Sequence, residues 1–447
     1  MYRRLKNFSD DVNQEDVYKH FIGMDLRDFF DVLTTTDLHP TLRLVAYLRA
    51  FGILDKADPS RWAFNLHTSQ QNYKTLLETQ YYQCRSVRFQ NMDPLQPQED
   101  GPFQKRHRLI QLEKQIQLDI NRLFSNEEFF SNLDNRANIH LLTTLWSHIN
   151  NDIYKQGIHE IVALCYQLAV NGVQANFLQH RQDSELFHLT HFTRASVMHL
   201  AFDLSTSIMS FVYPLYSDDQ KMSQRMNQIQ NQLLLKLDQP LNERINQLNL
   251  ESVYLIRWLR LLFCREVRVE HVPRMWDFIV FSFEKTGSVD YLDYMVVSFY
   301  QQKRDELMRG DYNMVMKMFS GSLLGDIGIE GIQNVCLGAL RLMGVGKQEE
   351  TKTQIILKNT QKTKNSTINY WLSQQIKQGL KLNQSGNTEE GNQMITEVAE
   401  LLEVLVPENE TAFLDVLRSS GYESGIGKGR ALEIVTQCLS KHKGWSE

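Results

Sequence analysis

Two short patterns of polar residues in this sequence are separated by one predicted helix. The first pattern is Ile116-Gln-Leu-Asp119-Ile-Asn-Arg122, and the second is Tyr154-Lys-Gln156-Gly157. A guanidinium is always charged and presents several donors in a planar fork, so it is suited to neutralising negative charge. A carboxamide both accepts and donates hydrogen bonds, so it can orient a water molecule. The two patterns therefore offer a permanent cation and a group that can hold water.

A predicted helix over residues 104–122 positions the first pattern. Its apolar side chains recur at helical spacing and form one stripe, made of Leu109, Leu112, Ile116 and Ile120. Asp119 and Arg122 are three residues apart, so their side chains can meet on the helix surface and the aspartate can orient the arginine. Taken alone, such a spacing is more often a surface ion pair, which contributes at most about 1 kcal/mol.

The second pattern lies in a short connection between two predicted helices. The helix before it covers residues 135–149 and is ended by Asn150-Asn-Asp. The segment after it, Ile158–Ala169, is strongly apolar and predicts a buried helix. A glutamine beside a glycine in a loop is ordinarily a solvated turn residue. What makes the two patterns specific is that both occur, in this order, one helix apart.

The two patterns resemble the catalytic signatures of the TBC-domain GTPase-activating proteins, which act on Rab GTPases. The resemblance covers roughly residues 40–320 and includes Tyr254–Glu266 and the pair Trp276-Asp277. Within the family, the sequences of residues 154–160 and 254–266 are most similar to the branch of TBC domain family member five. The resemblance implies an all-α fold, a TBC (Rab-GAP) helical domain followed by a small C-terminal helical unit.

The resemblance also implies a mechanism and a partner. Arg122 takes the position of an arginine finger and Gln156 that of a glutamine finger, both acting in trans on a Rab-type small GTPase. The chain then needs no cofactor of its own, because GTP and Mg²⁺ are carried by the GTPase. Supporting positions fall on a further set of residues: Asp119, Tyr154, Gly157, Arg43 and Tyr47.

Several positions depart from the family pattern. The family opens with R-x-x-x-W; Arg43 fits it, but Tyr47 stands where tryptophan is expected, and a buried tyrosine hydroxyl needs a partner. Leu123 and Ser125 replace the threonine and proline that usually follow the finger arginine, whereas Phe124 is kept. An acidic and aromatic stretch of the family is replaced by Arg194-Ala-Ser-Val-Met-His199. These departures motivate an alternative, a TBC-fold scaffold with weak or no GAP activity in a larger cytoskeletal or ciliary assembly.

Composition favours a helical protein of a reducing compartment. The net charge is -5, so no overall basic field points to nucleic acid. The five cysteines are an odd number without C-x-x-C spacing, which argues against a disulfide framework or a cysteine zinc site. No apolar segment follows the basic start, and the longest apolar runs, 208–215 and 259–264, are far shorter than the roughly 20 residues that span a bilayer. We expect a cytoplasmic protein without a transmembrane segment, peripheral to endomembranes; the scaffold alternative would place it in a cytoskeletal or ciliary assembly.

Other polar clusters carry weaker signals. The histidines have no cysteine or carboxylate at ligand spacing, so we interpret them as ordinary surface or core residues; they are His180, His188, His191 and His199. The glycine and lysine clusters 344–347 and 425–430 lack the spacing of a phosphate-binding loop and are interpreted as helix-end loops. A metal hydrolase would require ligand spacings that this sequence does not show.

The pattern along the chain predicts four regions. They are an N-terminal helical extension (1–39), a TBC/Rab-GAP domain (40–346), a polar linker (347–367) and a C-terminal helical unit (368–447). The linker is rich in lysine, glutamine, threonine and asparagine, whereas the last region returns to helical spacing. The C-terminal unit contains no recognisable motif and is a candidate binding element for an assembly partner.

Overall fold

In the part of the chain that the structure describes, helices account for all the regular secondary structure. The structure is a computed structural model, and it describes residues 39–87, 101–176, 191–250, 252–321, 324–325 and 327–344. The first nine α-helices are α1 (Pro40–Ala50), α2 (Trp62–Leu76), α3 (Gln83–Ser86), α4 (Pro102–Ile120), α5 (Glu128–Ser131), α6 (Leu133–Ile149), α7 (Ile158–Gln174), α8 (Val197–Val212) and α9 (Pro214–Ser217). The next nine are α10 (Asp219–Gln228), α11 (Leu234–Leu237), α12 (Gln239–Gln247), α13 (Tyr254–Arg260), α14 (Val272–Thr286), α15 (Tyr291–Gln302), α16 (Arg304–Arg309), α17 (Tyr312–Ser320) and α18 (Ile329–Leu342). The all-α prediction is confirmed.

Shorter helical turns connect several of these helices. The 3₁₀ turns are Pro59–Arg61, Arg194–Ser196 and Val269–His271, and the π-helical turns are Leu77–Tyr82 and Ile229–Leu233. The π turn at 77–82 joins α2 to α3, so the helical segment that begins at Trp62 continues to Ser86 with a widened turn inside it.

Short polar side chains fix where several helices begin. Asn132 accepts a hydrogen bond from the Asn135 amide at the start of α6, and Asp218 accepts from the amides of Gln220 and Lys221 at the start of α10. Asp238 and Asp311 cap α12 and α17 in the same way. Such caps satisfy amides that have no partner inside the helix, and each typically contributes about 1 kcal/mol.

Helix α7 lies at the centre of the core. It is apolar around most of its circumference and packs against α8 most extensively, and also against α1 and α6. The predicted buried helix over 158–169 is therefore confirmed. At one crossing the Gly172 backbone lies so close to Leu44 that a Cβ on Gly172 would stand 2.6 Å from the Leu44 Cβ. Because it follows Gln156 so closely in the chain, α7 gives the second polar pattern a rigid base.

Helix α8 and the turn before it form a longer apolar stretch than the apolar runs seen in the sequence. Among the described residues, one helical stretch, Arg194–Val212, is long and apolar enough to cross a bilayer. Within this stretch 67% of the most apolar window is buried inside the protein, which is the usual position of a core helix of this composition. No continuous apolar run revealed it, because His199, Asp203 and several serines interrupt the sequence.

A second group of core side chains surrounds α13. Four side chains of this group are almost completely buried: Trp258, Leu262, Phe263 and Trp276. Helix α13 ends at Arg260, and the chain then turns through Leu262 and Phe263, whose φ angles are 47° and 58°. The Trp276 indole donates to the Leu262 carbonyl oxygen at 3.2 Å. This turn brings Arg265 towards the start of α7.

Some predictions fall on other parts of the chain. The predictions outside the described residues are the N-terminal extension, His180 and His188, the polar linker, the C-terminal unit and the 425–430 cluster. The domain boundaries stay predictions. Gly344, the first residue of the other glycine cluster, lies just after α18 with a φ of 81°, in agreement with a helix-end loop.

Candidate functional site

Arg122 lies in an exposed turn directly after α4. Helix α4 ends at Ile120, and the Arg122 amide donates to the Asp119 carbonyl oxygen at 3.0 Å. The next residue, Leu123, is completely buried. Phe124 adopts a φ of 34° and packs against Phe130 with ring centroids 4.9 Å apart. Two apolar side chains therefore anchor the turn, and the arginine stays exposed.

The expected pairing of Asp119 with Arg122 is not formed. Among the described residues, the Arg122 guanidinium has neither an ion pair nor a hydrogen bond. The prediction treated both residues as part of one helix, but α4 ends at Ile120, before Arg122. The Asp119 carboxylate instead accepts a hydrogen bond from the Tyr154 hydroxyl at 2.7 Å. Asp119 thus joins the two polar patterns, 35 residues apart, and leaves the arginine free.

Tyr154 is the centre of a small hydrogen-bonded chain beneath the site. Its hydroxyl lies 2.8 Å from Nδ1 of His159 as well as 2.7 Å from the Asp119 carboxylate. The hydroxyl has one proton and an ionised carboxylate can only accept, so Nδ1 of His159 must carry the proton that joins it to Tyr154. Burial raises the pKa of Tyr154 and lowers the pKa of His159. His159 is therefore neutral at neutral pH. The hydrogen bonds from Asp119 through Tyr154 to His159 connect the end of α4 to the start of α7.

Gly157 lets the chain pass from the exposed Gln156 into the buried helix α7. Its φ of 106° lies in the left-handed region that favours glycine. A Cβ at this position would also stand 2.6 Å from the Leu261 side chain and 3.1 Å from the Tyr216 hydroxyl. Both conformation and space therefore require glycine here, and this explains the glycine that ends the second pattern.

Gln156 is the exposed residue of the second pattern. Its neighbours Tyr154 and Gly157 are buried, and no hydrogen bond is made by the Gln156 side chain within the described part of the chain. Gln156 and Arg122 therefore share one situation. Each is an exposed polar side chain on a turn whose neighbouring residues are fixed, and the Tyr154–Asp119 hydrogen bond joins the two turns.

Arg265 makes a second connection between the two turns. Its Nε atom donates to the Glu160 carboxylate at 2.6 Å, and its guanidinium lies 5.9 Å from the centre of the Phe124 ring. Burial raises the pKa of Glu160, and the hydrogen bond from Arg265 opposes that rise. The sequence carried one signal for this pair, a carboxylate in the apolar segment 158–169, because a buried carboxylate requires a cation.

Arg43 and Tyr47 lie in the core, where they join α1 to α14. Arg43 Nε donates to the Asp277 carboxylate at 2.9 Å and Nη2 donates at 3.1 Å, while the Tyr47 hydroxyl donates at 3.0 Å. Asp277 is fully buried; burial raises its pKa, and Arg43 opposes this rise. Tyr47 thus has the partner that its hydroxyl needs. These two residues support the fold and present no group to a partner.

The described histidines are consistent with ordinary residues. Within the described ranges no group of three or more histidine, cysteine, aspartate or glutamate side chains could hold a metal ion. His191 is exposed, whereas His199 is buried and its Nδ1 atom lies 2.6 Å from the Ser69 hydroxyl. Asp203 accepts from the same hydroxyl. Because Ser69 lies between His199 and Asp203, the three residues are not in the order of a hydrolytic triad.

Comparison with known proteins shows the family to which this chain belongs. Residues 62–308, more than half of the chain, match the model of the Rab-GTPase-TBC domain. The chain is 23% identical over 314 residues to TBC1 domain family member 5 of Homo sapiens, covering 60% of this chain and 38% of that protein. It is 28% identical over 123 residues to TBC1 domain family member 5 homolog B of Dictyostelium discoideum, covering 27% of this chain and 12% of that protein.

The fold is also similar to a solved structure. The crystal structure of the Ypt/Rab-GAP domain of Gyp1p superimposes with a TM-score of 0.58 at 17% identity, covering 76% of this chain and all of that domain. This likeness shows the fold. Together with the family match over more than half of the sequence, it leads to one conclusion: the chain belongs to the Rab-GTPase-TBC domain family.

Proposed function

We propose that the chain is a GTPase-activating protein for a Rab-type small GTPase, with Arg122 as arginine finger and Gln156 as glutamine finger in trans. The observation that carries this proposal is the hydrogen bond from Tyr154 to Asp119. It joins two turns that each expose one polar side chain, Arg122 on the first and Gln156 on the second.

The arginine meets the electrostatic demand of the reaction. Negative charge is spread over the transferring phosphoryl group of GTP, which the GTPase holds together with Mg²⁺. An arginine inserted from a second protein stabilises that charge, and its effect on the rate is about 10³- to 10⁵-fold. Arg122 is exposed and has no competing carboxylate among the described residues, so no ion pair has to be broken first.

The glutamine meets the positional demand. A carboxamide can hold the attacking water through its oxygen and its amide hydrogens, and such positioning reduces the barrier because the geometry is set in advance. The Gln156 backbone is already fixed by Tyr154 on one side and Gly157 on the other. The partner therefore meets a glutamine whose loop is preformed.

Two motives for the scaffold alternative weaken with the structure. Tyr47 in place of tryptophan is satisfied by Asp277, and Leu123 in place of threonine fills a fully buried position under the Arg122 turn. The names of the curated relatives and the family match further support the activator. We accordingly propose a Rab GTPase as the partner and the cytoplasmic face of endomembranes as the site of action.

The test of the arginine is a single-turnover GTP hydrolysis assay against a panel of Rab GTPases. We expect wild type to stimulate at least one member and Arg122→Ala to reduce the stimulated rate by about 10³-fold or more. Arg122→Lys should also fail, because an ammonium lacks the planar fork. Arg309→Ala, which removes an exposed arginine of α16, is the matched control and should behave as wild type. A wild-type chain that stimulates no member would refute the proposal.

The same assay tests the glutamine. We expect Gln156→Ala to reduce the rate less than Arg122→Ala does, because the charge stabilisation by the arginine remains. Gln174→Ala is the control, since it removes an exposed glutamine at the other end of α7. Equal rates for Gln156→Ala and wild type would remove the glutamine from the mechanism and leave the arginine in place.

A further inference from the structure

Lys155 lies between the buried Tyr154 and the exposed Gln156. Its ammonium donates a hydrogen bond to the Tyr216 carbonyl oxygen and stands 3.6 Å from a carboxylate oxygen of Asp219. The lysine side chain is 39% exposed, so it lies along the surface of the protein. Lys155 and Tyr154 are thus neighbours in sequence, but they contact different parts of the chain.

The segment that receives Lys155 is itself held firmly. We call residues 214–219 the platform. Arg260 donates to the Leu215 carbonyl oxygen at 2.8 Å and to the Asp219 carboxylate at 2.6 Å. The buried Tyr216 donates from its hydroxyl to the Arg260 carbonyl oxygen at 2.9 Å. The same hydroxyl is one of the atoms that a Cβ on Gly157 would meet, so the platform packs against the turn that carries Gln156, here called the glutamine turn.

We propose that Lys155 is a positioning residue for Gln156, because it ties the glutamine turn to the platform. This inference rests on the proposed function. Tyr154 holds the turn towards Asp119 and α4, and Lys155 holds it towards Tyr216 and Asp219. With both attachments and Gly157 in place, the Gln156 side chain is the part of the turn left to meet the partner.

The charges around Lys155 favour this role over direct contact with the GTPase. The Asp219 carboxylate binds both Arg260 and Lys155, and its pKa is lowered, first by the hydrogen bond from Arg260 and next by the charge of Lys155. Asp219 is therefore ionised at neutral pH and holds the ammonium. A lysine that already has a carboxylate and a carbonyl partner differs from Arg122, which has neither among the described residues.

The decisive experiment measures single-turnover rates against increasing concentrations of the chain, with the Rab GTPase that wild type stimulates most. Lys155→Met keeps the length of the side chain but removes its charge. We expect its maximal rate to fall by about tenfold to a hundredfold, since a small misplacement of a catalytic group has an effect of that size. The half-saturating concentration should stay unchanged, and Lys155→Arg should recover most of the rate.

Two further variants complete the design. Lys221→Met is the matched control. Lys221 forms an ion pair with Asp218 at the start of α10, so this variant should leave the maximal rate unchanged. Asp219→Asn removes the negative charge that pairs with the Lys155 ammonium. If Lys155 acts through Asp219, the double variant should be less impaired than the product of the two single effects. Thermal unfolding of each variant checks that the fold is kept.

The outcomes are distinguishable. A raised half-saturating concentration with an unchanged maximal rate would mean that Lys155 contacts the GTPase directly, and would overturn the inference; so would a Lys155→Met variant equal to wild type. If wild type stimulates no GTPase, the proposed function fails by itself. The attachment is then judged by hydrogen exchange of peptides covering 150–158, which should be faster in Lys155→Met; unchanged exchange would overturn it.

Discussion

Arg43 and Arg122 show how one residue type serves two opposite purposes in this molecule. Arg43 is buried between α1 and α14, where its guanidinium makes several hydrogen bonds to Asp277. Arg122 is exposed on a turn, and its guanidinium meets no carboxylate in the described part of the chain. The first arginine is satisfied inside the fold, whereas within the described ranges the second is left to solvent or to a binding partner.

The surroundings of each arginine make the same distinction. Around Arg43 the tyrosine and the aspartate are themselves buried and bonded to each other. Around Arg122 the fixed residues are its neighbours, Leu123 and Asp119, and they hold the turn without holding the arginine. A buried polar group without a partner is costly, so a permanently free arginine has to lie at the surface.

The largest expected effect on stability comes from removing the carboxylate at the buried site. Asp277→Ala would remove the buried carboxylate to which Arg43 and Tyr47 donate hydrogen bonds, which should destabilise the protein by about 3–5 kcal/mol. Arg122→Ala removes an exposed side chain without a partner and should change stability by less than about 0.5 kcal/mol. Urea unfolding followed by circular dichroism measures both. Equal losses of stability in the two variants would remove the distinction between the two arginines.

The next effect is a pH dependence of stability that comes from a buried histidine of the core. Burial lowers the pKa of His199 to about 4 from its usual 6.5, so between these values the unfolded chain binds a proton that the folded chain does not. Stability should therefore fall as the pH falls through this range, by about 3 kcal/mol for this residue. Burial also raises the pKa of Asp203 to about 6, and that contribution has the opposite sign.

The measurement is unfolding free energy against pH for wild type and His199→Asn. Asp203 is present in both proteins, so its contribution largely cancels in the difference, provided that its pKa is unchanged. We expect a flatter acid limb for His199→Asn between pH 6.5 and 4. Two parallel curves would show that His199 does not control acid stability.

The smallest effect compares the same substitution in the two regions. Tyr47→Phe removes a hydrogen bond to Asp277, and Tyr154→Phe removes one to Asp119, so each should reduce stability by about 1–2 kcal/mol. Only Tyr154→Phe should also slow stimulated GTP hydrolysis, because of the two tyrosines only Tyr154 connects the turns that carry Arg122 and Gln156. If Tyr47→Phe slowed hydrolysis equally at a temperature where it is fully folded, the hydroxyl of Tyr154 would have no special role.

The sequence predicted local features well, because these depend on near neighbours. Apolar spacing identified the buried helix that begins after Gly157. The order of the two polar patterns pointed to Arg122 and Gln156 as site residues, and this assignment stays a prediction.

The sequence could not supply the contacts between distant residues. Asp119 was assigned to Arg122 because three-residue spacing allows a contact on a helix, but the helix ended first and Tyr154, 35 positions away, became the partner. The Arg265–Glu160 pair is separated by 105 positions and depends on how α13 turns back towards α7. Such pairs are set by tertiary packing, which spacing along the chain does not contain.

The position of Gln156 two residues before α7 has a thermodynamic consequence. Helix α7 is buried along most of its length, so the order of the preceding turn is established when the chain folds. Conformational entropy that is lost on folding is not lost a second time during association, and this lowers the free-energy cost of forming a complex. In the proposed complex with a Rab-type GTPase, the calorimetric signature of binding should therefore contain little of the ordering entropy typical of loops that fold on contact.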